Sequence, residues 1–107
     1  KFEKDIMAKI GLIDTIAPRY RTGYFSHIFD GGYSSGYYGY LWSNTYDADT
    51  WLAFKENGIF DHTTAELYRK HVLETGGKED PAMMYRRFRG QDPKVEPLLE
   101  RRGLTGK

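Results

Sequence analysis

The sequence predicts a mainly α-helical array carrying one glycine- and tyrosine-rich loop, and three observations support this. Apolar residues recur at spacings of three and four rather than two. Glycine and proline stand where helices stop and start, at Gly58, Gly76-Gly77, Asp80-Pro81 and Gly90. The stretches between them are short, as in compact helical folds. The run GGYSSGYYGY, Gly31 to Tyr40, is the exception.

Phe2, Ile6 and Ile10 fall four apart on one face of a first helix that Gly11 stops. Pro18 disfavours helix at Ala17, so Ile13 to Arg21 is expected to be irregular. Tyr24 to Phe29 reads as a short extended piece. Asp30 to Gly36, with three glycines in seven residues, reads as a mobile loop. A long helix is predicted from Ser35, whose hydroxyl can cap it, to about Glu56, with Gly58 ending it. Leu41, Thr45, Ala48 and Leu52 form its buried face, widened by Trp42, Tyr46 and Trp51.

Thr63 and Glu66 have capping-box spacing and open a helix bearing Tyr68, His71 and Val72, stopped at Gly76-Gly77. Asp80 caps the next helix with Pro81 in first position. Met84, Tyr85 and Phe88 are its apolar face and Gly90 its stop. Pro97 to Arg102 is a last short helix, with Leu98 and Leu99 inward and Gly103 beyond.

At 107 residues the chain has the length of one domain or one piece of a larger one, and it reads as a single segment over 1–107. Apolar residues at 39% and charged residues at 29% give a soluble, globular balance. No apolar run approaches the ~20 residues of a membrane span. Zero cysteines exclude disulfide frameworks, thiol catalysis and cysteine zinc fingers, and fit a reducing, cytoplasmic compartment with the periplasm as the alternative. A net charge of +1 leaves no footprint for nucleic acid. The start, Lys1-Phe2-Glu3-Lys4, has neither an initiator methionine nor a leader and reads as a cut.

Charge divides the chain. From Thr22 to Phe54 there is no lysine or arginine, the only acids are Asp30, Asp47 and Asp49, and eleven of the seventeen aromatics lie there. From Lys55 onward eleven bases face nine acids. With a helix starting near Ser35, Tyr37 and Tyr40 are three apart and share a side. Glycines would fold His27 and Tyr33 back toward that helix start. One imidazole and two or three phenols would then converge on a cleft. Such groups donate well to negative charge developing on oxygen, and a glycine hinge lets them close on a ligand. The competing reading is that the tyrosines merely cover a helix whose apolar face is core.

The stretch PRYRTGYFSHIFDGGYSSGYYGYLW, Pro18 to Trp42, resembles the C-terminal signature of the thimet oligopeptidase family of zinc metallopeptidases, most of all its bacterial peptidyl-dipeptidase (dipeptidyl carboxypeptidase) branch. The likeness continues through Gly76-Gly77, YRRFRGQDPK from Tyr85 to Lys94, and LLERRGL from Leu98 to Leu104. It covers nearly the whole chain and implies the C-terminal part of a larger all-α catalytic domain that ends at a natural C-terminus.

The resemblance also implies roles. His27 stands where the family has a histidine that helps hold substrate and reacting carbonyl. Tyr33 matches the loop tyrosine that closes over the substrate backbone, and Tyr37 a further substrate-contacting position. Tyr40 matches the helix tyrosine that hydrogen-bonds the oxyanion. His27 and Tyr40 are thus the expected catalytic pair, and all four residues the expected substrate contacts. Zinc in the parent would act as Lewis acid and lower the pKa of its water.

One departure is large. The family's H-E-x-x-H motif and downstream glutamate ligand are missing, since the only histidines are His27, His62 and His71. The segment should therefore hold no metal and hydrolyse no peptide alone. His62 and Glu66, four apart, read as a solvated pair rather than a metal site, and His71 as a partly buried helix residue.

Arg86, Arg87 and Arg89 read as a solvated face paired with Glu79, Asp80 and Asp92 rather than a nucleic-acid footprint. Arg19 and Arg21 either anchor the tyrosine loop or pair with a peptide carboxylate. The expected partners are an oligopeptide substrate and the upstream portion of the parent chain, with self-association of the isolated segment and no nucleic acid or membrane. The alternative function is a non-enzymatic aromatic-rich module binding peptide or carbohydrate.

Overall fold

The computed structural model describes residues 1–105, and the chain divides into two compact units, Lys1–Tyr38 and Gly39–Lys107. All regular structure among the described residues is helical, and no helix is long and apolar enough to cross a membrane.

The first unit opens with α1, Phe2–Lys9, followed by the irregular run that Pro18 implies. Phe2, Ile6 and Ile10 have the predicted spacing but stay exposed, and no residue in 1–38 is buried. A 38-residue unit encloses too little volume for a core. The extended piece expected at Tyr24 to Phe29 is instead two 3-10 turns, Thr22–Tyr24 and Ser26–Ile28. With no strand in the unit to pair with, the backbone satisfies itself locally, as when the Phe29 N–H donates to the Ser26 carbonyl at 2.9 Å. Glu3 on α1 ties this segment down. Its carboxylate accepts the Thr22 N–H at 2.6 Å and lies 3.7 Å from the Arg21 guanidinium.

The second unit is built on α2, Gly39–Asn57. It starts at Gly39 rather than Ser35, because Ser35 has a φ of 55° inside a run of turns, a left-handed geometry that no helix start has. Ala48 is buried as predicted, but it shares the buried side with Asp49 and Ala53 rather than with Leu41. Thr45 and Leu52 are half-buried, while Leu41, Trp42 and Trp51 are exposed. Of the three residues expected to widen the buried face, only Tyr46 packs on the core.

Helix α3, His62–Tyr68, is capped by Asp61, whose carboxylate accepts the Thr64 N–H at 2.7 Å, so Thr63 lies inside the helix rather than at its cap. That bond holds the Asp61 carboxyl below its ordinary value. The helix then widens into a π turn, Arg69–Leu73, closed by the Glu74 N–H on the Arg69 carbonyl. Tyr68 and Val72 reach the core from its two ends, and His71 is half-buried as expected.

Helix α4, Pro81–Arg89, follows its sequence closely. Asp80 accepts from the Ala82 and Met83 N–H groups, Gly90 closes the helix at φ 76°, and Met84, Tyr85 and Phe88 are buried. Helix α5, Glu96–Arg101, buries Leu98 and half-buries Leu99 against α2.

The core is a cluster of rings around Ala53, with Tyr85 and Phe88 at its centre and Tyr46, Phe54 and Tyr68 beside them. Tyr46 meets Tyr85 edge-on at 4.8 Å, and Tyr68 meets Phe88 at 5.3 Å. Each such pair adds about 0.5–1.5 kcal/mol beyond area burial.

Behind the rings lies a charge. Asp49 is 0% exposed. Its Oδ2 accepts the Tyr85 hydroxyl at 2.5 Å and lies 3.3 Å from Arg89 Nε, while Arg89 also holds Glu56 at 2.9 Å. Arg86 and Arg87 pair with Asp92 and Glu79 as expected, but Arg89 turns inward to Asp49 instead. Burial, reinforced by Asp49, pushes the Tyr85 phenol far above its ordinary value.

Replacing Arg89 by Met is expected to cost about 3–5 kcal/mol, because Asp49 stays buried without its cation. Asp49→Asn, which leaves Arg89 paired with Glu56, should cost less. Urea unfolding of both variants followed by circular dichroism tests the order, and an equal loss would count against it.

Candidate functional site

The tyrosine loop is shaped by its backbone. Gly31 and Gly32 have φ of 70° and 81°, which only glycine adopts without strain. The Asp30 carboxylate accepts the Gly31 N–H at 2.7 Å, the Ser34 hydroxyl donates to the Phe29 carbonyl at 3.3 Å, and the Gly36 N–H donates to the Tyr33 carbonyl at 2.9 Å. These bonds fold the loop back over the 3-10 turn that carries His27.

As a result, His27 meets Tyr33 with ring centroids 5.6 Å apart and Tyr37 at 6.2 Å. Tyr37 meets Phe25 edge-on at 4.9 Å, and Phe25 stacks on Tyr20 at 4.8 Å. Five rings therefore run in sequence, Tyr20, Phe25, Tyr37, His27 and Tyr33, and do the packing that a core does elsewhere. Position along the run separates their parts. Tyr37 is half-buried within it, whereas His27 and Tyr33 are exposed at its end. Those two line a cavity of about 180 Å³ with Ser26, Asp30 and Gly31.

The structure thus brings His27, Tyr33 and Tyr37 together. Tyr40 stands on the first turn of α2, in the second unit, 45% exposed. Because α2 begins at Gly39, Tyr37 lies in the turn before it, and the expected alignment of Tyr37 with Tyr40 along one helix is corrected.

Each arginine before the loop has a partner outside residues 30–36. Arg21 pairs with Glu3, and the Arg19 guanidinium lies 5.1 Å from the centroid of the Tyr20 ring.

Among the described residues no group of three His, Cys, Asp or Glu could hold a metal ion. His62 is exposed at the start of α3.

Two residues escaped the sequence reading. Asp30 reaches the same cavity as His27 and Tyr33, and its signal was available as the one acid in a base-free loop. Phe25 links the ring run to Tyr20, which no local spacing announces.

Comparison with known proteins gives a match to the model of peptidase family M3 over residues 1–104. Oligopeptidase A of Escherichia coli is 44% identical over 82 residues, covering 77% of this chain and 12% of that protein. Dipeptidyl carboxypeptidase of Escherichia coli is 42% identical over 93 residues, covering 87% of this chain and 14% of that protein. Saccharolysin of Saccharomyces cerevisiae is 32% identical over 80 residues, 75% of this chain and 11% of that protein. The chain thus spans about an eighth of the length of these relatives.

The Glu3 anchor gives the attachment of Thr22 to α1 a pH dependence. Hydrogen bonding to Thr22, helped by Arg21, holds the Glu3 carboxyl below its ordinary value. A group lowered in the folded state contributes fully above its unfolded pKa and loses that contribution as pH falls through the folded one. The Thr22 amide resonance is therefore expected to shift only in acid, below the ordinary carboxylate range. Glu3→Gln should remove the transition, and a Thr22 titration that survives in that variant would refute the anchor.

Proposed function

The chain belongs to peptidase family M3, and from that membership we propose that it is the C-terminal portion of a zinc-dependent peptidyl-dipeptidase, which releases dipeptides from the C-termini of oligopeptides. The family match over residues 1–104 carries this reading. Its choice of a dipeptide-releasing activity draws support from the 42% identity to dipeptidyl carboxypeptidase and from the tyrosine loop.

Zinc does not fit this chain, because His27, His62 and His71 form no ligand cluster with neighbouring carboxylates among the described residues. Its ligands and the general base belong to the remaining seven-eighths of a parent of the relatives' length, so the isolated chain is inactive.

This chain contributes donors. His27 and Tyr33, exposed on one cavity, hold the peptide backbone and the reacting carbonyl. The exposed phenol of Tyr40 donates to the oxygen of that carbonyl as negative charge builds on it. Tyr37, half-buried among Phe25 and His27, stiffens the loop and offers its edge to substrate. The glycines let the loop close and keep water from the bond under attack.

The upstream portion is also the natural cover for Leu41 and Trp42, which continue the inner side of α2 yet are 57% and 60% exposed. Without that cover the isolated chain is expected to self-associate, and a monodisperse monomer in sedimentation at high concentration would argue otherwise.

In the full-length parent, Tyr40→Phe should lower kcat about 100–1000-fold, as loss of one oxyanion donor does. Zinc content and fold should be unchanged. Turnover equal to that of the unaltered enzyme on a blocked tripeptide would remove Tyr40 from the mechanism. Absence of peptidase activity in the parent would favour a binding module instead.

A further inference from the structure

The cavity beside His27 and Tyr33 carries a charge that the donor roles above do not use. We infer that Asp30 makes it a subsite for a cationic side chain, so that peptides presenting lysine or arginine there are preferred over neutral and acidic ones. This rests on the peptidase reading and names a substrate class for it.

The first support is position. Asp30 lines the same cavity as His27 and Tyr33, so a substrate touching those two lies within reach of its carboxylate. At about 180 Å³ the cavity has room for an ammonium or guanidinium head with its last methylenes.

Orientation is the second. Asp30 Oδ1 is held by the Gly31 N–H at 2.7 Å, and the carboxylate enters no ion pair among the described residues. Its position is therefore fixed by the loop backbone, while its charge is unmatched by a cation.

The third is the absence of local competition. No lysine or arginine occurs from Thr22 to Phe54. Of the arginines just before the loop, Arg21 is engaged by Glu3 and Arg19 lies against Tyr20.

The Tyr33 ring supplies a second contact suited to a cation, since the face of a phenol attracts ammonium and guanidinium groups. A glutamate or aspartate in the same place would meet Asp30 as a like charge.

The test uses the full-length protein and isosteric peptide pairs, lysine against norleucine and arginine against citrulline, at each position flanking the scissile bond. At one position kcat/KM is expected to favour the cationic member by about three- to fivefold, the range of a solvent-exposed ion pair, and less at high salt. Asp30→Asn, which keeps an acceptor for the Gly31 N–H, should bring that ratio close to one, and Asp30→Glu should restore part of it. A ratio near one in the unaltered protein, or one that survives in Asp30→Asn, overturns the inference. If no peptide is turned over at all, the peptidase reading fails instead. Affinities of the same labelled pairs for the same variants, read by fluorescence anisotropy, then decide on Asp30 separately.

Discussion

A carboxylate sealed from water has to be matched from within, and in the second unit that demand falls on Asp49. Its match comes from α4, where Tyr85 and Arg89 meet it across 36 and 40 residues of sequence. The same helix face carries Phe88, so neutralising the charge and packing the rings require one and the same placement of α4 on α2. The polar contact thereby selects a register that ring packing alone would leave loose. Ala48 and Ala53 make it feasible, because larger side chains on that side of α2 would hold its neighbours off. Asp49 Oδ1 still has no partner among the described residues, so part of the cost of burying the carboxylate is not recovered by its neighbours.

The two units solve the problem of a small interior differently. Residues 39–105 converge rings around Ala53 and close the arrangement with helix caps at Asp61 and Asp80. Residues 1–38 bury nothing and string their rings from Tyr20 to Tyr33, tied at the base by Glu3. A ladder of this kind leaves its last members, His27 and Tyr33, exposed while fixing their direction.

Legibility in the sequence followed the range of the forces involved. The limits of α4 could be read because Asp80, Pro81 and Gly90 act within a turn of themselves, and its apolar spacing has a single interpretation. The side of α2 that is buried could not. Leu41, Trp42, Trp51 and Leu52 spread around the helix, and which of them is covered depends on what packs there. Ser35 carried a cap signal that its left-handed backbone cancels. At the site, the glycines around Tyr33 announced a loop that folds back, and the structure adds that Tyr33 meets His27, whereas the Arg89 to Asp49 contact, 40 residues apart, leaves no local trace.

The paired left-handed glycines of the loop carry a chemical corollary. A Cβ added at Gly31 or Gly32 would meet nothing within 4 Å, so the obstacle to a side chain at either place is torsional and not one of room. Torsional preference reverses with chirality, and positive φ is the home region of a D-amino acid. The loop is thus written in the geometry of the mirror-image residue. D-alanine at Gly31 or Gly32, introduced by chemical ligation, would escape the torsional strain that L-alanine meets there, and would narrow the freedom of the unfolded loop. Loop stiffness could in that way be varied while every side chain of the loop keeps its identity.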